Sequence, residues 1–529
     1  MINKPFDIGA WNLFFLAEFI FIGMELINFN PAANLLLLLV LLIPITSQWI
    51  RIARAIIVVP SALILLYTES WLPPINRLIE GGNLISAFSL DYVLELTLRY
   101  INTDWLLFFL IGIFSYWVFR SMVRFTFLTM VAVSYLSILN LKIIPQAFLP
   151  ATTYADTGMQ NQAKESVDSP PLSLQQILDQ QLADFYEEES TRIVNFSSEK
   201  AQTSFDIIFL QVCSLSWSDL QAIQKPNPQL LKQMDILFTN FNSATSYSGP
   251  AAIRLLRANC GQTNHHSLFS TTDEHCYLFN QLETMHYRTR ATLNHTGEFD
   301  DFNQLVRKQI QTSDKPLQNQ YAYTPALKAF DGTPIWRDYQ VLENWYISSA
   351  EKEKFALFYN TITLHDGNRF IKANGKTVLA DYPTRFLELQ SDIERFISLL
   401  QKSTRKTLLV LIPEHGAALH GDKMQLKGIR EFPSRSITHV PVGMKLINFD
   451  LQQTEHPIEV TSQHSYLAIA ELIERLSKQD HNRAIVLSKL AKDLPQTKWV
   501  SETQGTVIME HEHHDYIKLE ETGKWQEYR

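Results

Sequence analysis

Hydrophobic positions divide this chain of 529 residues into two unlike parts. Up to residue 148, the residues are mostly Leu, Ile, Phe and Val. A membrane-spanning helix needs about 20 predominantly apolar residues, and five stretches approach that length. We therefore predict an α-helical transmembrane bundle with spans near 11–28, 32–48, 52–69, 104–120 and 124–145. Because one apolar segment follows another, we do not expect a cleaved signal peptide.

The charges between the predicted spans indicate their orientation. Positive charge in short loops marks the cytoplasmic side of a membrane. The basic residues on one side of the bundle are Lys4, Arg51, Arg54, Arg120 and Arg124. Five crossings therefore place the amino terminus in the cytoplasm and the carboxyl-terminal domain outside. Residues 84–101, between the third and fourth spans, suit either an amphipathic helix on the outer surface or a loop helix packed on the bundle.

Beyond residue 148 the pattern becomes that of a soluble domain. Residues 149–172 are rich in Ala, Thr, Gln, Asp, Ser and Pro and predict a flexible tether. Ser173–Glu187 has helical periodicity, and from Ser204 to Val500 strand-like and helix-like segments alternate. Alternation predicts an α/β domain with a central, mostly parallel sheet. The expected organisation is a transmembrane domain (1–148), a linker with a connecting helix (149–200) and a catalytic α/β domain (201–529).

Three short apolar runs each end on residues that can bind a metal or a phosphate. The runs and their ends are Phe205–Val212 before Cys213, Phe355–Leu364 before His365-Asp366, and Leu408–Ile412, through Pro413, before Glu414-His415. Such runs are typical of buried parallel strands, and ligands bind outside the carboxyl ends of these strands. We therefore expect a thiol, a carboxylate and two imidazoles to meet at one edge of the sheet, a set that suits a transition metal.

A serine stands where a helix begins. Ser248 lies in the sequence Tyr247–Pro250 and precedes the helical stretch Ala251–Cys260. Proline is favoured in the first turn of a helix, and the free amides there attract phosphate. Ser248 would serve as a plain N-cap in one interpretation. In the other it is a nucleophile held close to a metal ion.

The second interpretation predicts a complete zinc site. Cys213, Ser248, Glu414 and His415 supply four ligands for a tetrahedral Zn²⁺ ion. A serine hydroxyl bound to such an ion loses its proton at neutral pH and becomes a nucleophile. His365 and Arg430 remain to hold phosphate oxygens, a task to which the planar donor fork of arginine is suited.

Charge and cysteine content limit the possible partners and the cellular compartment of the protein. The net charge of -8 is spread along the chain without a long basic run, so nucleic acid is not an expected partner. Of the three cysteines, Cys260 and Cys276 lie close together in a polar stretch and suit a disulfide, which requires an oxidising compartment. Two free thiols are the alternative, and Cys213 alone is compatible with a small core residue. The segment His511–His514 resembles a metal tract but alternates like a polar strand or hairpin.

Together these motifs resemble the alkaline phosphatase superfamily and, within it, the membrane-anchored phosphoethanolamine transferases. That family combines five amino-terminal spans with a periplasmic α/β domain. Its lipid A branch has Glu, Thr and Asp-His where this chain has Cys213, Ser248 and Glu414-His415. These departures are similar to the cellulose phosphoethanolamine transferases of bacterial cellulose secretion systems. The segments that carry this resemblance are Cys213–Trp217, Tyr247–Pro250, Leu364–Asn368, Pro413–Gly416, Pro441–Gly443 and the pair Cys260 and Cys276.

The resemblance implies a zinc-dependent transfer in two steps. Ser248 would attack the phosphorus of phosphatidylethanolamine, release diacylglycerol and carry phosphoethanolamine to a glucose hydroxyl of cellulose, expected to be the 6-OH. Arg430 would stabilise the transferred group, and His365 would bind phosphate or act as general acid and base. Tyr247 would shape the site or only pack beside it. The implied setting is the bacterial inner membrane, with a periplasmic catalytic domain beside cellulose synthase subunits.

Three rival functions remain open from the sequence. A hydrolase of the same superfamily would use water as the second nucleophile, although Ser248–Ala252 lacks the arginine of a sulfatase motif. A transferase acting on lipid A or another glycan would use the same donor. A scaffold subunit of the secretion complex would need no chemistry at Ser248.

Overall fold

The computed structural model describes residues 7–24, 27–70, 92–94, 103–140, 172–196, 204–311, 323–348, 353–452, 457–480, 482–520 and 523–528. The chain forms two compact units. One comprises Met1–Ile85 with Val93–Pro171, and the other comprises Ser86–Tyr92 with Leu172–Arg529. The predicted tether up to residue 171 and most of the predicted amphipathic segment 84–101 lie outside the described residues.

The first unit consists of helices that coincide with the five predicted apolar stretches. They are α1 (Trp11–Gly23), α2 (Pro31–Leu42), α3 (Gln48–Glu69), α4 (Thr103–Phe119) and α5 (Phe125–Asn140). Its core includes Phe15 of α1, Leu38 and Leu41 of α2, Val58 of α3 and Val133 of α5. Among the described residues only α3, with 22 residues, is both long and apolar enough to cross a membrane. The other four helices have 12 to 17 residues, so five crossings stay a prediction.

The second unit is built on a sheet of seven strands. Its strands are β1 (Asp206–Val212), β2 (Ile236–Asn242), β3 (Arg288–Leu293), β6 (Phe355–Thr361), β9 (Thr407–Pro413), β10 (His439–Ile447) and β11 (Ile458–Val460). They lie in the order β11-β2-β10-β9-β1-β6-β3. β10 runs antiparallel to both of its neighbours, and the other four pairings are parallel. The sheet is therefore mixed, which the prediction of a mostly parallel sheet anticipated in part.

Helices cover both faces of this sheet, as alternation predicted. They are α6 (Leu174–Ser190), α7 (Trp217–Ala222), α8 (Gln229–Lys232), α9 (Ser248–Leu256), α10 (His265–Leu268), α11 (Leu278–Thr284), α12 (Phe302–Ile310), α13 (Asp338–Ser348), α14 (Tyr382–Gln401), α15 (Arg435–Thr438), α16 (Tyr466–Ser477) and α17 (Leu487–Leu490). Ile207 and Phe209 of β1 pack into the core on one face, and Ile208 and Leu210 pack into the core on the other. Burial on both faces explains why β1 is a continuous apolar run.

Two smaller antiparallel sheets complete the unit. One contains β4 (Leu327–Lys328), β5 (Pro334–Ile335), β7 (Arg369–Ile371) and β8 (Thr377–Leu379), and the other contains β12 (Val500–Thr503), β13 (Thr506–His511), β14 (His514–Leu519) and β15 (Trp525–Glu527). The second packs on α6 through a core that includes Leu178 and Phe185. The segment His511–His514 forms the tight turn between β13 and β14, so the hairpin interpretation of this segment is confirmed.

Candidate active site

Strand register brings the predicted ligands to one edge of the large sheet. Val212, the last residue of β1, pairs with Pro413 of β9 and with Thr361 of β6. The next residue on β1 is Cys213, and the next on β9 is Glu414. The ladder continues one step past the strands, because the Glu414 amide donates to the carbonyl of Val212 at 2.9 Å. Neighbouring parallel strands that end together therefore place the thiol beside the carboxylate.

Cys213, Glu414 and His415 form a compact buried cluster. Their side chains are at most 1% exposed. One potential ligand atom from each lies within 4.8 Å of the other two. The Sγ atom of Cys213 is 3.9 Å from Nε2 of His415, and Nε2 is 3.7 Å from Oε2 of Glu414. Cys213 and His415 are 202 positions apart along the chain, and the sheet brings them together.

Ser248 completes the cluster from the first residue of α9. Its Oγ atom lies 3.6 Å from Sγ of Cys213 and 3.5 Å from Nε2 of His415. Tyr247 before it is extended, and Pro250 occupies the first turn, where a missing amide hydrogen costs nothing. The hydroxyl of Ser248 therefore faces both the candidate ligands and the free amides of a helix amino terminus.

The orientation of Glu414 and His415 fits a metal ion. The side-chain amide of Asn360 donates to Oε1 of Glu414, whereas the buried Oε2 atom has no partner among the described residues. Nδ1 of His415 lies 2.9 Å from the carbonyl oxygen of Gly416. A proton on Nδ1 would leave the lone pair of Nε2 directed at Cys213 and Ser248. One sulfur, one nitrogen and two oxygens are a donor set that Zn²⁺ accepts.

Burial dominates the electrostatics of these ligands. It raises the pKa of the Cys213 thiol to about 12, and the charge of Glu414 adds to this effect. Burial also raises the pKa of Glu414 above its ordinary value. The pKa of His415 falls well below its ordinary value because of burial and the nearby charge of Arg430. The protein alone therefore favours the neutral thiol, and a cation in the cluster would reverse that preference.

Arg430 and His365 are less buried than the cluster, and both affect the electrostatics of His415. Nη1 of Arg430 lies 3.1 Å from Nδ1 of His415 and donates to Oγ of Ser214 at 3.3 Å. Nδ1 of His365 lies 2.8 Å from the carbonyl oxygen of Asp366. Burial and the charge of Arg430 lower the pKa of His365 to about 4. His365 is therefore a neutral imidazole at pH 7, and a proton on Nδ1 leaves its Nε2 atom free to accept one.

Tyr247 lies at the rim. Its side chain is 42% exposed, and its hydroxyl donates to Oε2 of Glu431 at 3.3 Å. It contributes no atom to the cluster of Cys213, Glu414 and His415. The predicted pair Cys260 and Cys276 forms a disulfide, which confirms that part of the sequence interpretation and leaves Cys213 as the free cysteine.

Similarity to known proteins extends over nearly the whole chain. The family model described as "Cellulose biosynthesis protein BcsG C-terminal domain" matches residues 161–525, and the model of the BcsG N-terminal domain matches residues 11–138. The chain belongs to the BcsG family. Cellulose biosynthesis proteins BcsG from Salmonella typhimurium and Escherichia coli are each 34% identical over 546 residues, with 98% of this chain and 96% of the relative covered. The resemblance inferred from the motifs is thereby confirmed.

Solved structures similar to this BcsG family member are more distant in sequence. A protein of the alkaline phosphatase superfamily from Vibrio parahaemolyticus matches with a TM-score of 0.47 and 13% identity over 66% of this chain and 91% of that one. The C-terminal periplasmic domain of EcEptC from Escherichia coli, in complex with Zn, matches with a TM-score of 0.39 and 14% identity over 59% and 93%.

Several residues that support the site in this BcsG family member escaped the sequence interpretation. Asn360 orients Glu414 from within β6, and the only signal in the sequence is a polar side chain inside a buried apolar run. The ring of Phe330 stacks on His365 with centroids 4.7 Å apart. Tyr92, which belongs to the second unit, donates its hydroxyl to Oδ2 of Asp366 at 3.4 Å. No spacing in the sequence connects Tyr92 or Phe330 with His365.

The loop that carries His415 is fixed by a buried carboxylate. Asp219 of α7 accepts from the amides of Ala417 and Leu419 at 2.7 and 3.3 Å. Gly416 passes so close that an added Cβ would lie 2.6 Å from Oγ of Ser216. Only glycine therefore fits between His415 and the start of α7.

Proposed function

We propose that this member of the BcsG family transfers phosphoethanolamine from phosphatidylethanolamine to hydroxyl groups of cellulose, with the glucose 6-OH as the expected acceptor. Ser248 is the proposed nucleophile. The observation that carries the proposal is the position of its Oγ atom at the amino terminus of α9, 3.6 Å from Sγ of Cys213 and 3.5 Å from Nε2 of His415. A hydroxyl that only capped a helix would need no such neighbours.

Zn²⁺ is the proposed cofactor, held by Cys213, Ser248, Glu414 and His415. A zinc ion supplies positive charge that favours the ionised serine and offsets the charge of the phosphoryl group. The unpartnered Oε2 atom of Glu414 supports this assignment, because a buried carboxylate oxygen without a donor or a cation is costly.

The first half of the reaction forms a covalent adduct. The Oγ atom of Ser248 attacks phosphorus, a bond from Oγ to phosphorus forms, and the bond from phosphorus to the diacylglycerol oxygen breaks. That oxygen takes up one proton, which balances the proton that the Ser248 hydroxyl loses, and leaves as the hydroxyl of diacylglycerol. The free amides at the start of α9 and the guanidinium of Arg430 bind the phosphoryl oxygens.

The second half returns the enzyme to its starting state. A sugar hydroxyl attacks phosphorus, loses its proton and displaces the Oγ atom of Ser248. His365 is the proposed acceptor of that proton, since its low pKa keeps the imidazole neutral, and it passes the proton to the departing Oγ atom, which regenerates the Ser248 hydroxyl. Stacking on Phe330 and a hydrogen bond from Arg385 to the His365 carbonyl at 2.6 Å hold the residue in place.

The proposed donor is a lipid, which agrees with an apolar surface on the first unit. Large hydrophobic side chains of α3 and α4 are exposed there, among them Trp49, Ile56, Leu63, Phe114 and Trp117. Exposed apolar surface on this scale is typical of contact with a membrane. We propose that the first unit lies in the bacterial inner membrane, that the second faces the periplasm, and that cellulose synthase subunits are neighbours.

One experiment separates this function from its rivals. The purified full-length protein is incubated with phosphatidylethanolamine labelled in its ethanolamine group, with and without cellulose oligosaccharides. We expect label on Ser248, seen by intact and peptide mass, and then label on the sugar. Ser248→Ala should abolish both, and Ser267→Ala, at an exposed serine of α10, should abolish neither.

The other outcomes each contradict part of the proposal. Release of free phosphoethanolamine in place of transfer would indicate a phosphodiester hydrolase. Label that moves to added lipid A but not to cellulose oligosaccharides would assign a different acceptor. The protein would be a scaffold if it never acquires label and if the Ser248→Ala variant supports cellulose secretion as well as the unsubstituted protein does.

A further inference from the structure

A polar cavity lies at the end of α9 that is opposite Ser248. Its volume is about 40 Å³, and its lining includes Arg254, Gln262, Tyr466, Thr497 and the disulfide Cys260–Cys276. A single water needs roughly 10–15 Å³ of such space, so the cavity holds more than one water or one larger ion. None of these residues takes part in the proposed transfer.

Arg254 places unsatisfied hydrogen-bond donors in this cavity. Its side chain is buried, and only Nη1 is engaged, in a hydrogen bond to the carbonyl of Thr263 at 3.0 Å. Nε and Nη2 have no partner among the described residues. The carboxylates nearby are already bonded, since Glu189 accepts from Arg192 and from the amide of Gln262. A buried cation normally has a bonded counter-charge.

A neighbouring arginine on the same chain segment has hydrogen-bond partners for the corresponding donors. Arg257 also lines the cavity. Its Nε atom donates to Oε1 of Gln309 and its Nη2 atom to the carbonyl of Ser270, both at 2.8 Å. The unsatisfied donors of Arg254 are thus specific to that residue.

Two hydroxyl groups join Arg254. The hydroxyls of Tyr466 and Thr497 are buried and have no hydrogen-bond partner within the described part of the chain. Glu502 is also close enough to interact with Arg254, but its carboxylate accepts the amide of His265. The unsatisfied donors around the cavity, among the described residues, are therefore two guanidinium nitrogens with three N–H groups and two hydroxyls.

The cavity also contains one unsatisfied hydrogen-bond acceptor. The Oε1 atom of Gln262 has no hydrogen-bond partner among the described residues. The nitrogen of the same amide donates to the carbonyl of Val500 at 2.9 Å. A water beside the main occupant would bond to this oxygen. Each water would also have to place its own protons beside these donors, whereas an anion only accepts and therefore suits several donors at once.

We propose that this cavity is a binding site for a small inorganic anion of the size of chloride, held by Arg254, Tyr466 and Thr497. The anion would join the end of α9 to the start of α16 and to the loop before β12. Since the disulfide borders the same cavity, the bound anion and the disulfide would fix one end of the helix whose other end presents Ser248.

The test measures thermal unfolding of the full-length protein in detergent. Sodium chloride is titrated against sodium gluconate at constant ionic strength, so that only the small anion changes. At ten times the dissociation constant we expect the Tm to be about 2 °C higher in chloride. Crystals of the full-length protein grown with bromide should show anomalous scattering between Arg254 and Tyr466.

Two variants and a matched control make the test specific. Arg254→Met should remove the chloride response. Tyr466→Phe should raise the chloride concentration for half of the response about tenfold, since a hydrogen bond to a charged group is lost. Tyr359→Phe removes a buried hydroxyl that is already bonded to Asp338 at 2.6 Å, so it should lower the Tm and leave that concentration unchanged.

Several results would overturn the proposal. They are equal Tm values in chloride and gluconate, an unchanged chloride response in Arg254→Met, or a cavity that contains ordered water and no bromide. If Arg254→Met does not fold, Tyr466→Phe decides, because a midpoint equal to that of the unsubstituted protein would exclude a role for this hydroxyl in anion binding.

Discussion

Asn360 donates its side-chain amide to the Oε1 atom of Glu414, and this bond leaves Oε2 at 3.7 Å from Nε2 of His415. The two residues come from strands that flank β1 on opposite sides. The bond therefore crosses the central strand at the point where Cys213 emerges. It orients a candidate metal ligand without contributing an atom to the metal site.

Asn360→Leu should weaken zinc binding while the fold is kept. The substitution has nearly the same shape and removes the donor that orients Glu414, together with the hydrogen bonds between Asn360 and both Gln211 and His295. Outer partners of metal ligands are typically worth about 10- to 100-fold in affinity. Competition with a fluorescent chelator measures the change. Asn448→Leu, which removes an amide bonded to the carbonyls of Leu400, Ser403 and Arg405, serves as control, and equal affinity in both variants would contradict this role for Asn360.

Zinc affinity should rise with pH. Burial raises the pKa of the Cys213 thiol to about 12, so the thiol of the metal-free protein is protonated throughout the neutral range. Metal binding must release that proton, and the apparent affinity should therefore increase at least tenfold per pH unit between about pH 6.5 and 8.5. Chelator competition at several pH values measures the slope. Cys213→Ala should bind more weakly and with a slope lower by one proton; a flat profile for the unsubstituted protein would rule out thiolate ligation.

Phe330→Ala should shift the acid limb of the pH–rate profile upward. The stacked ring helps to bury His365, whose pKa burial lowers to about 4. Water admitted beside the imidazole favours its charged form, and the pKa of His365 should move towards its ordinary value near 6.5. The measurement is kcat/KM for transfer against pH, with Phe299→Ala as a control, since that ring contacts Phe330 rather than His365. The same limb in all three proteins would show that His365 does not set the pH dependence.

Gly416→Ala should destabilise the second unit by about 1–3 kcal/mol. The added methyl group would lie 2.6 Å from Oγ of Ser216 and 2.9 Å from Oδ2 of Asp219, and both atoms are held by hydrogen bonds in the loop around α7. Chemical denaturation measures the free energy of unfolding. Gly249→Ala adds a methyl group in ordinary contact with Leu305 at 3.4 Å and should be neutral or slightly stabilising. An unchanged free energy of unfolding in Gly416→Ala would mean that the loop around α7 can shift at little cost.

The sequence predicts the centre of the site better than its surroundings. Cys213 and Glu414 were found because each follows a continuous apolar run, and parallel strands that end together bring such residues into contact. The antiparallel direction of β10 was not predictable, because the periodicity of side chains is the same in both directions. The contributions of Asn360 and Phe330 depend on register and on loop packing across many residues, which no local pattern encodes.

For the first unit, too, the sequence predicts some features and not others. The apolar stretches gave the positions of α1 to α5, since apolar length alone marks such helices. The number of crossings does not follow from those positions, because four of the five helices are shorter than a bilayer is thick.

The place of β1 in the middle of the large sheet has a consequence for biosynthesis. Ile207 pairs with Ala356 on one side and with Leu408 on the other, so both partners leave the ribosome roughly 150 to 200 residues later. Until then a strand that is apolar on both faces has two open edges, the kind of segment that aggregates readily. Its safe passage depends on factors that shield nascent chains, and slow translation downstream of residue 213 would lengthen the period of risk.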